Sequence, residues 1–186
     1  MHTKITYKGF ENDEVLDSML LYMYGKCAAA AEAPEVFGKL QSQDIVSWTI
    51  LISGYGLHGY NDKALEMFDE MIVDNVPPNS VTYASVLKSC STLKTLPKDP
   101  KLHMEIAEEG YDSDFSVASA LVDMYAKLGL MSKAQDIFDS LPNRDLLLWN
   151  TLLSGYAKFG PDNKVLHCFT QIQLDGFFLM LSHWHV

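Results

Sequence analysis

Laid over itself with a shift of 101 residues, the 186-residue chain aligns 1–75 onto 102–176 without a gap, and 23 of the 75 positions are identical. Composition alone gives roughly five identities in such a span. The matches include His2/His103, Gly9/Gly110, Met23/Met124, Tyr24/Tyr125, Lys26/Lys127, Ala33/Ala134, Phe37/Phe138 and Trp48/Trp149, and the run Ser53-Gly54-Tyr55 against Ser154-Gly155-Tyr156. A fixed long period is the signature of a repeat architecture, in which each unit buries its apolar face against its neighbours.

A finer pattern lies inside the period. Trp48, Leu51, Ile52 and Tyr55 fall at i, i+3, i+4 and i+7, and Ala64, Met67, Phe68 and Met71 do the same. Each set is the buried stripe of one amphipathic helix. Gly59-Tyr60-Asn61 separates them and predicts a tight turn with Asn61 as N-cap, and Val76-Pro77-Pro78 predicts the end of the second helix. The hairpin recurs at Val81 to Leu87 with Leu102 to Ile106, and at Leu121 to Tyr125 with Ala134 to Leu141. Three hairpins of 35, 35 and 31 residues fill the period, at 45–79, 80–114 and 115–145.

Composition agrees with a folded helical array and removes other classes. Hydrophobic residues make up 48% and charged residues 20% of the chain, which excludes disorder throughout. No apolar run reaches the roughly 18 residues of a membrane-spanning helix. Arg144 is the only arginine and the formal charge is -10, so a dominant basic footprint is missing and any nucleic-acid binding must be local. Cys27, Cys90 and Cys168 match neither a zinc site nor a disulfide framework and read as small buried hydrophobes. Glu11, Asp13 and Glu14 near the start, with no arginine and no apolar core, fit neither a transit peptide nor a secretory signal.

The 35/35/31 order resembles the plant pentatricopeptide repeat family, in its subclass of alternating standard, long and short repeats. Standard repeats resemble Asp44-Ile45-Val46-Ser47-Trp48-Thr49 through Gly54-Tyr55, followed by Lys63 to Met71. The long repeat resembles Val81 to Cys90, and short repeats resemble Ala120 to Lys127 with Ala134 to Asp139. In that frame 1–13 ends a long repeat, 14–44 is short, 45–79 standard, 80–114 long, 115–145 short, and 146–186 a degenerate terminal repeat. The resemblance implies an all-α, right-handed superhelical solenoid of helix-turn-helix hairpins. Both ends fall inside repeats without a polar cap, the expected mark of a piece of a longer array.

Three rival motifs carry less. Gly54-Tyr55-Gly56-Leu57-His58-Gly59 fits a dinucleotide fingerprint, but the duplicate Gly155 to Gly160 lacks the second glycine and no βαβ unit follows. His103-Met104-Glu105 fits the H-x-E of zinc deaminases, yet no Cys-x-x-Cys pair completes the site, and a helix-packing histidine is the simpler reading. His183 and His185 have no third ligand. No cofactor or metal is expected.

The resemblance further implies single-stranded RNA as partner, one nucleotide per repeat, with the fifth and last residues of each repeat facing the base. Those pairs are Ser18 with Asp44, Thr49 with Asn79, Ala84 with Asp114, Ser119 with Asp145, and Asn150 with Met180. Val15, Val46 and Val81 resemble the apolar residues that clamp bases, and Lys26, Lys127 and Lys158 the lysines that reach phosphate. The bland reading of the same residues is helix caps and dipole partners. Family placement also implies a mitochondrial or chloroplast setting and a non-catalytic part in RNA processing or cytidine-to-uridine editing. Editing accessory proteins or a deaminase-bearing chain would be further partners. The alternatives are a protein-binding helical scaffold and an inactive gene fragment.

Two local expectations concern substitutions within the repeats. Asp99 caps, and Pro100 opens, the second helix of the long repeat, leaving Thr95 to Lys98 as loop. Ala28 to Ala31, standing where the duplicate has Gly129 to Ser132, leave the first short hairpin with a poorly defined turn, and Pro34 falls in the first turn of its second helix.

Overall fold

The computed structural model describes residues 37–38, 40, 42–97 and 102–174. Among them every regular element is helical: α1 (Ile45–Leu57), α2 (Asn61–Val73), α3 (Ser80–Leu93), α4 (Leu102–Glu108), a 3-10 turn (Tyr111–Ser113), α5 (Phe115–Lys127), α6 (Met131–Ser140), α7 (Leu146–Phe159) and α8 (Asp162–Leu174). The chain divides into two compact units, 1–89 and 90–186, with the division inside α3.

In the first unit, the β-prone run Ile45 to Ile52 is helical because its large side chains recur at the helical period. Trp48, Leu51, Ile52 and Tyr55 are all buried. Asp44 starts the helix, its carboxylate accepting the Ser47 N–H at 2.9 Å. Gly59 then takes a left-handed φ of 81°, a conformation costing a side-chain-bearing residue about 1–2 kcal/mol. The Tyr60 N–H closes back on the Tyr55 carbonyl at 2.9 Å, so α2 begins at once and packs against α1. Phe68 of α2 meets Tyr83 of α3 edge to face at 6.3 Å.

In the second unit, α5 and α6 form the corresponding hairpin, with Gly129 at φ 76° and the Leu130 N–H on the Tyr125 carbonyl at 2.9 Å. Helix α7 packs on both α5 and α6, and α8 on α7. The crossing is close at Gly155, where a Cβ would lie 2.8 Å from Met131 Sδ and 3.0 Å from Ala126 Cβ. Helix α4 is fastened to α5 by His103 Nδ1 and the Tyr125 hydroxyl, 3.1 Å apart.

Two sequence expectations are corrected. Asn61 is not an N-cap: Tyr60 holds that position without a side-chain bond, and Asn61 is the first residue of α2, its amide donating to the Gly59 carbonyl. The turn closes one residue sooner than the Gly-Tyr-Asn spacing suggests. Val76-Pro77-Pro78 does not end α2 either. The helix stops at Val73, because Asn75 enters the left-handed region at φ 57° and the Val76 N–H bonds the Met71 carbonyl. The prolines follow an end already made.

Thr95, Leu96 and Pro97 are non-helical and α4 is described from Leu102, so no helix runs unbroken from Leu96 to Glu108. Asp99, Pro100, Ala28 to Ala31 and Pro34 lie outside the described residues.

Candidate nucleic-acid interface

Four of the side chains singled out as last residues of repeats do one structural job: each caps the helix that follows. Asp44 caps α1, Asp114 caps α5 through the Ser116 and Val117 N–H groups at 2.9 and 3.2 Å, and Asp145 caps α7 through Leu148 N–H at 2.7 Å. Asn79 caps α3, its Oδ1 accepting the Thr82 N–H at 2.9 Å. A cap uses one branch of the side chain. The outward branch of each aspartate is then an acceptor, and that of Asn79 is an NH2 donor.

Two residues beyond three of these caps stands an apolar side chain left in solvent: Val46 at 50%, Val81 at 55% and Leu147 at 73% exposure. Exposure of one apolar residue means little, and what these three share is the register at which it recurs. Val46 and Val81 are legible from the family pattern. Leu147 occupies the same register in the terminal repeat and was missed.

Thr49, the fifth residue paired with Asn79, is 8% exposed and its hydroxyl is already engaged. Ser119 Oγ is buried and has no hydrogen-bond partner among the described residues. Asn150 is exposed. Ser18, Val15, Lys26 and Met180 lie outside the described residues.

Three lysines of the second unit converge on one cavity. A cavity of about 340 Å³ is lined by Lys94, Lys127 and Lys158 together with Asn150, Leu147 and Phe159. Lys127 pairs with Asp123, one turn back and also on the wall, at 2.8 Å. Asp123 in turn accepts the Ser91 hydroxyl. Lys158 Nζ lies 4.9 Å from the centre of the Phe159 ring. Three lysines to one aspartate make this a locally basic groove on a chain of net charge -10. Lys94 is invisible to a repeat-register argument, since it follows the end of α3 at a left-handed φ of 54°.

The remaining candidates are packing groups. Trp48, Trp149, Tyr55 and Tyr156 are buried at their stripe positions. Burial raises the Tyr125 phenol and the Cys168 thiol above their ordinary ranges and lowers the His103 imidazole, with Lys133 adding to the last effect and Asp112 opposing it. Among the described residues no group of His, Cys, Asp or Glu side chains could hold a metal ion. None of the described helices is long and apolar enough to cross a membrane.

These features define an α-helical repeat protein whose first helices present capped N-termini. Its matches to family models name the class more narrowly: the PPR repeat family over residues 43–92, and the PPR repeat over 116–146 and 147–177. The chain belongs to the pentatricopeptide repeat family. A mitochondrial pentatricopeptide repeat-containing protein of Arabidopsis thaliana is 38% identical over 177 residues, covering 95% of this chain and 28% of the relative. A chloroplastic one from the same plant is 35% identical over 177 residues, covering 95% and 29%. The chain thus spans little more than a quarter of the length of these relatives. The pentatricopeptide repeat protein PPR10 of maize, in complex with an 18-nt psaJ RNA element, shares the fold with a TM-score of 0.68 and 19% identity, over 88% of this chain and 25% of that one.

Proposed function

We propose that this chain binds single-stranded RNA, one nucleotide per repeat, as part of an organellar RNA-processing or cytidine-to-uridine editing recognition array, with no catalytic step of its own. The observation that carries this is the recurrent pairing of a helix cap with an exposed apolar residue two positions on: Asp44 with Val46, Asn79 with Val81, Asp145 with Leu147. A base held by the apolar side chain has its edge beside the free branch of the cap. There an aspartate oxygen suits the imino N–H of guanine or uracil, and the Asn79 amide suits adenine N1.

The groove supplies the charge. Lys94, Lys127 and Lys158 offer three ammonium groups to a backbone passing Asn150. The naming of relatives as mitochondrial and chloroplastic supports the organellar setting, and the RNA in the PPR10 complex supports the ligand class. The alternating standard, long and short subclass, with its repeat limits at 44/45, 79/80, 114/115 and 145/146, belongs to the same proposal.

The test is binding of labelled pentaribonucleotides to the 186-residue chain as a function of salt. Contact with three phosphates gives a slope of about -2 in log K against log[salt], at roughly -0.7 per phosphate for single strands. Lys127→Ala and Lys158→Ala each flatten the slope by about one phosphate. Absence of salt-dependent RNA binding overturns the proposal and leaves the protein-binding scaffold as the reading to pursue.

A further inference from the structure

Between the two residues assigned to one base lies a third that no register argument selects. Thr49 Oγ1 sits 2.6 Å from the Ile45 carbonyl oxygen and 2.7 Å from Thr82 Oγ1. Thr82 Oγ1 sits 3.0 Å from Asn79 Oδ1, the same oxygen that accepts the Thr82 N–H at 2.9 Å. Thr82 is wholly buried. It cannot touch a ligand, so whatever it does passes through Thr49 and Asn79.

Proton counting makes the three side chains one system. Three oxygen–oxygen contacts, Ile45 to Thr49, Thr49 to Thr82 and Thr82 to Asn79, share only the two hydroxyl protons of the threonines. Each threonine owns one proton and can place it on one neighbour at a time. When Thr49 donates to Ile45, the Thr82 proton is drawn to Thr49. When Thr49 donates to Thr82, the Thr82 proton goes to Asn79. The state of Thr49 is therefore felt at the Asn79 carbonyl.

The other caps lack this link. Asp44, Asp114 and Asp145 carry Ser47, Val117 and Leu148 at the equivalent place. Ser47 is the one hydroxyl among these, and it donates to the main-chain carbonyl of Asp44. A carboxylate presents an oxygen whichever way it turns, but turning an amide exchanges donor for acceptor. Asn79 is the one cap of the four whose reading depends on orientation. The Thr82 N–H, which can only donate, keeps Oδ1 inward and the NH2 group outward, where it has no partner among the described residues.

We propose that Thr82 is a positioning residue for base discrimination in this repeat, its hydroxyl coupling Thr49 to Asn79 and setting where the Asn79 amide, oriented by the Thr82 main-chain N–H, comes to rest. The proposal rests on the RNA reading above. A methyl group in place of the hydroxyl needs about 3.5 Å from a heavy atom, so Thr82→Val pushes Oδ1 from its present 3.0 Å contact and removes the coupling together.

The test uses the 186-residue chain at low ionic strength, with anisotropy competition between the pentaribonucleotides GAUGU and GGUGU. These differ at the nucleotide assigned to Thr49 and Asn79. The unaltered chain is expected to prefer adenine there. Thr82→Val should bring the adenine-to-guanine ratio close to one, while Thr82→Ser, which restores the hydroxyl, should keep it within about twofold of the original, the usual error of independent effects. Thr49→Val should lower the ratio in the unaltered chain and add nothing in Thr82→Val. If Thr82→Val loses its helical circular dichroism, Thr82→Ala is measured in its place. An unaltered chain that binds both RNAs equally overturns the RNA reading at this repeat and the proposal with it. An adenine preference that survives in Thr82→Val or Thr82→Ala overturns the role of Thr82 alone.

Discussion

Phe37 meets Trp48 edge to face with ring centroids 4.5 Å apart and planes at 64°, and 101 residues later Phe138 meets Trp149 at 4.5 Å and 68°. The duplication seen as letters is thus a duplication of packing. Such a pair contributes about 0.5–1.5 kcal/mol beyond its burial.

Trp149 is 5% exposed, and truncating a buried tryptophan costs about 3–5 kcal/mol. Trp149→Ala should lower the unfolding free energy by that amount, read as a fall in the urea midpoint, without changing the sign of the helical circular dichroism. Equilibrium unfolding decides it, and a shift under about 1 kcal/mol would contradict the packing described.

Gly155 lets α7 approach α5 and α6. A methyl there meets Met131, whose thioether can swing away, and Ala126 Cβ, which cannot move without its helix. Gly155→Ala should therefore destabilise by about 1–3 kcal/mol, although alanine by itself favours helix by up to about 1 kcal/mol. A thermal-melting cycle of Gly155→Ala with Ala126→Gly should show the two losses falling short of additive.

Replacing Asn79 by aspartate keeps the cap on α3 and exchanges an outward donor for an acceptor. Asn79→Asp should leave the melting temperature within a few degrees and move preference at the second nucleotide of the pentaribonucleotide from adenine to guanine. Unchanged preference with unchanged stability would show that this side chain caps the helix and does nothing more.

His103 has its imidazole lowered by burial and by Lys133, against the opposing pull of Asp112. Between the lowered value and the ordinary one near 6.5, the unfolded chain binds more protons than the folded one, so stability rises with pH and levels off above that window. Melting temperature measured from about pH 5.5 to 7.5 should follow this course, and His103→Gln should flatten it.

Sequence patterning exposed the helical stripes, the duplication and the caps, because periodicity and short polar residues before apolar runs are local properties. The family pattern singled out Val46 and Val81, which the structure leaves exposed, and the same position of the terminal repeat is Leu147. That pattern did not reveal that the Thr49 hydroxyl points inward, since a position in a repeat fixes where a residue starts and not how its side chain rotates. The groove was equally hidden: Lys94 joins Lys127 and Lys158 only through the packing of different helices. Asn61 misled for a related reason, because turn composition does not say which residue the closing hydrogen bond leaves outside the helix.

The caps at Asp44, Asn79, Asp114 and Asp145 bind the vocabulary of these positions to the integrity of the fold. Alanine or a branched apolar residue at any of them forfeits about 1 kcal/mol of helix initiation, whatever it would offer a ligand. Side chains that keep the cap at these positions are therefore drawn from Asp, Asn, Ser and Thr, glycine being the one good cap without a side chain. That four-letter alphabet is chemically narrow, and it is enough to offer an acceptor, a donor, or a hydroxyl that is both.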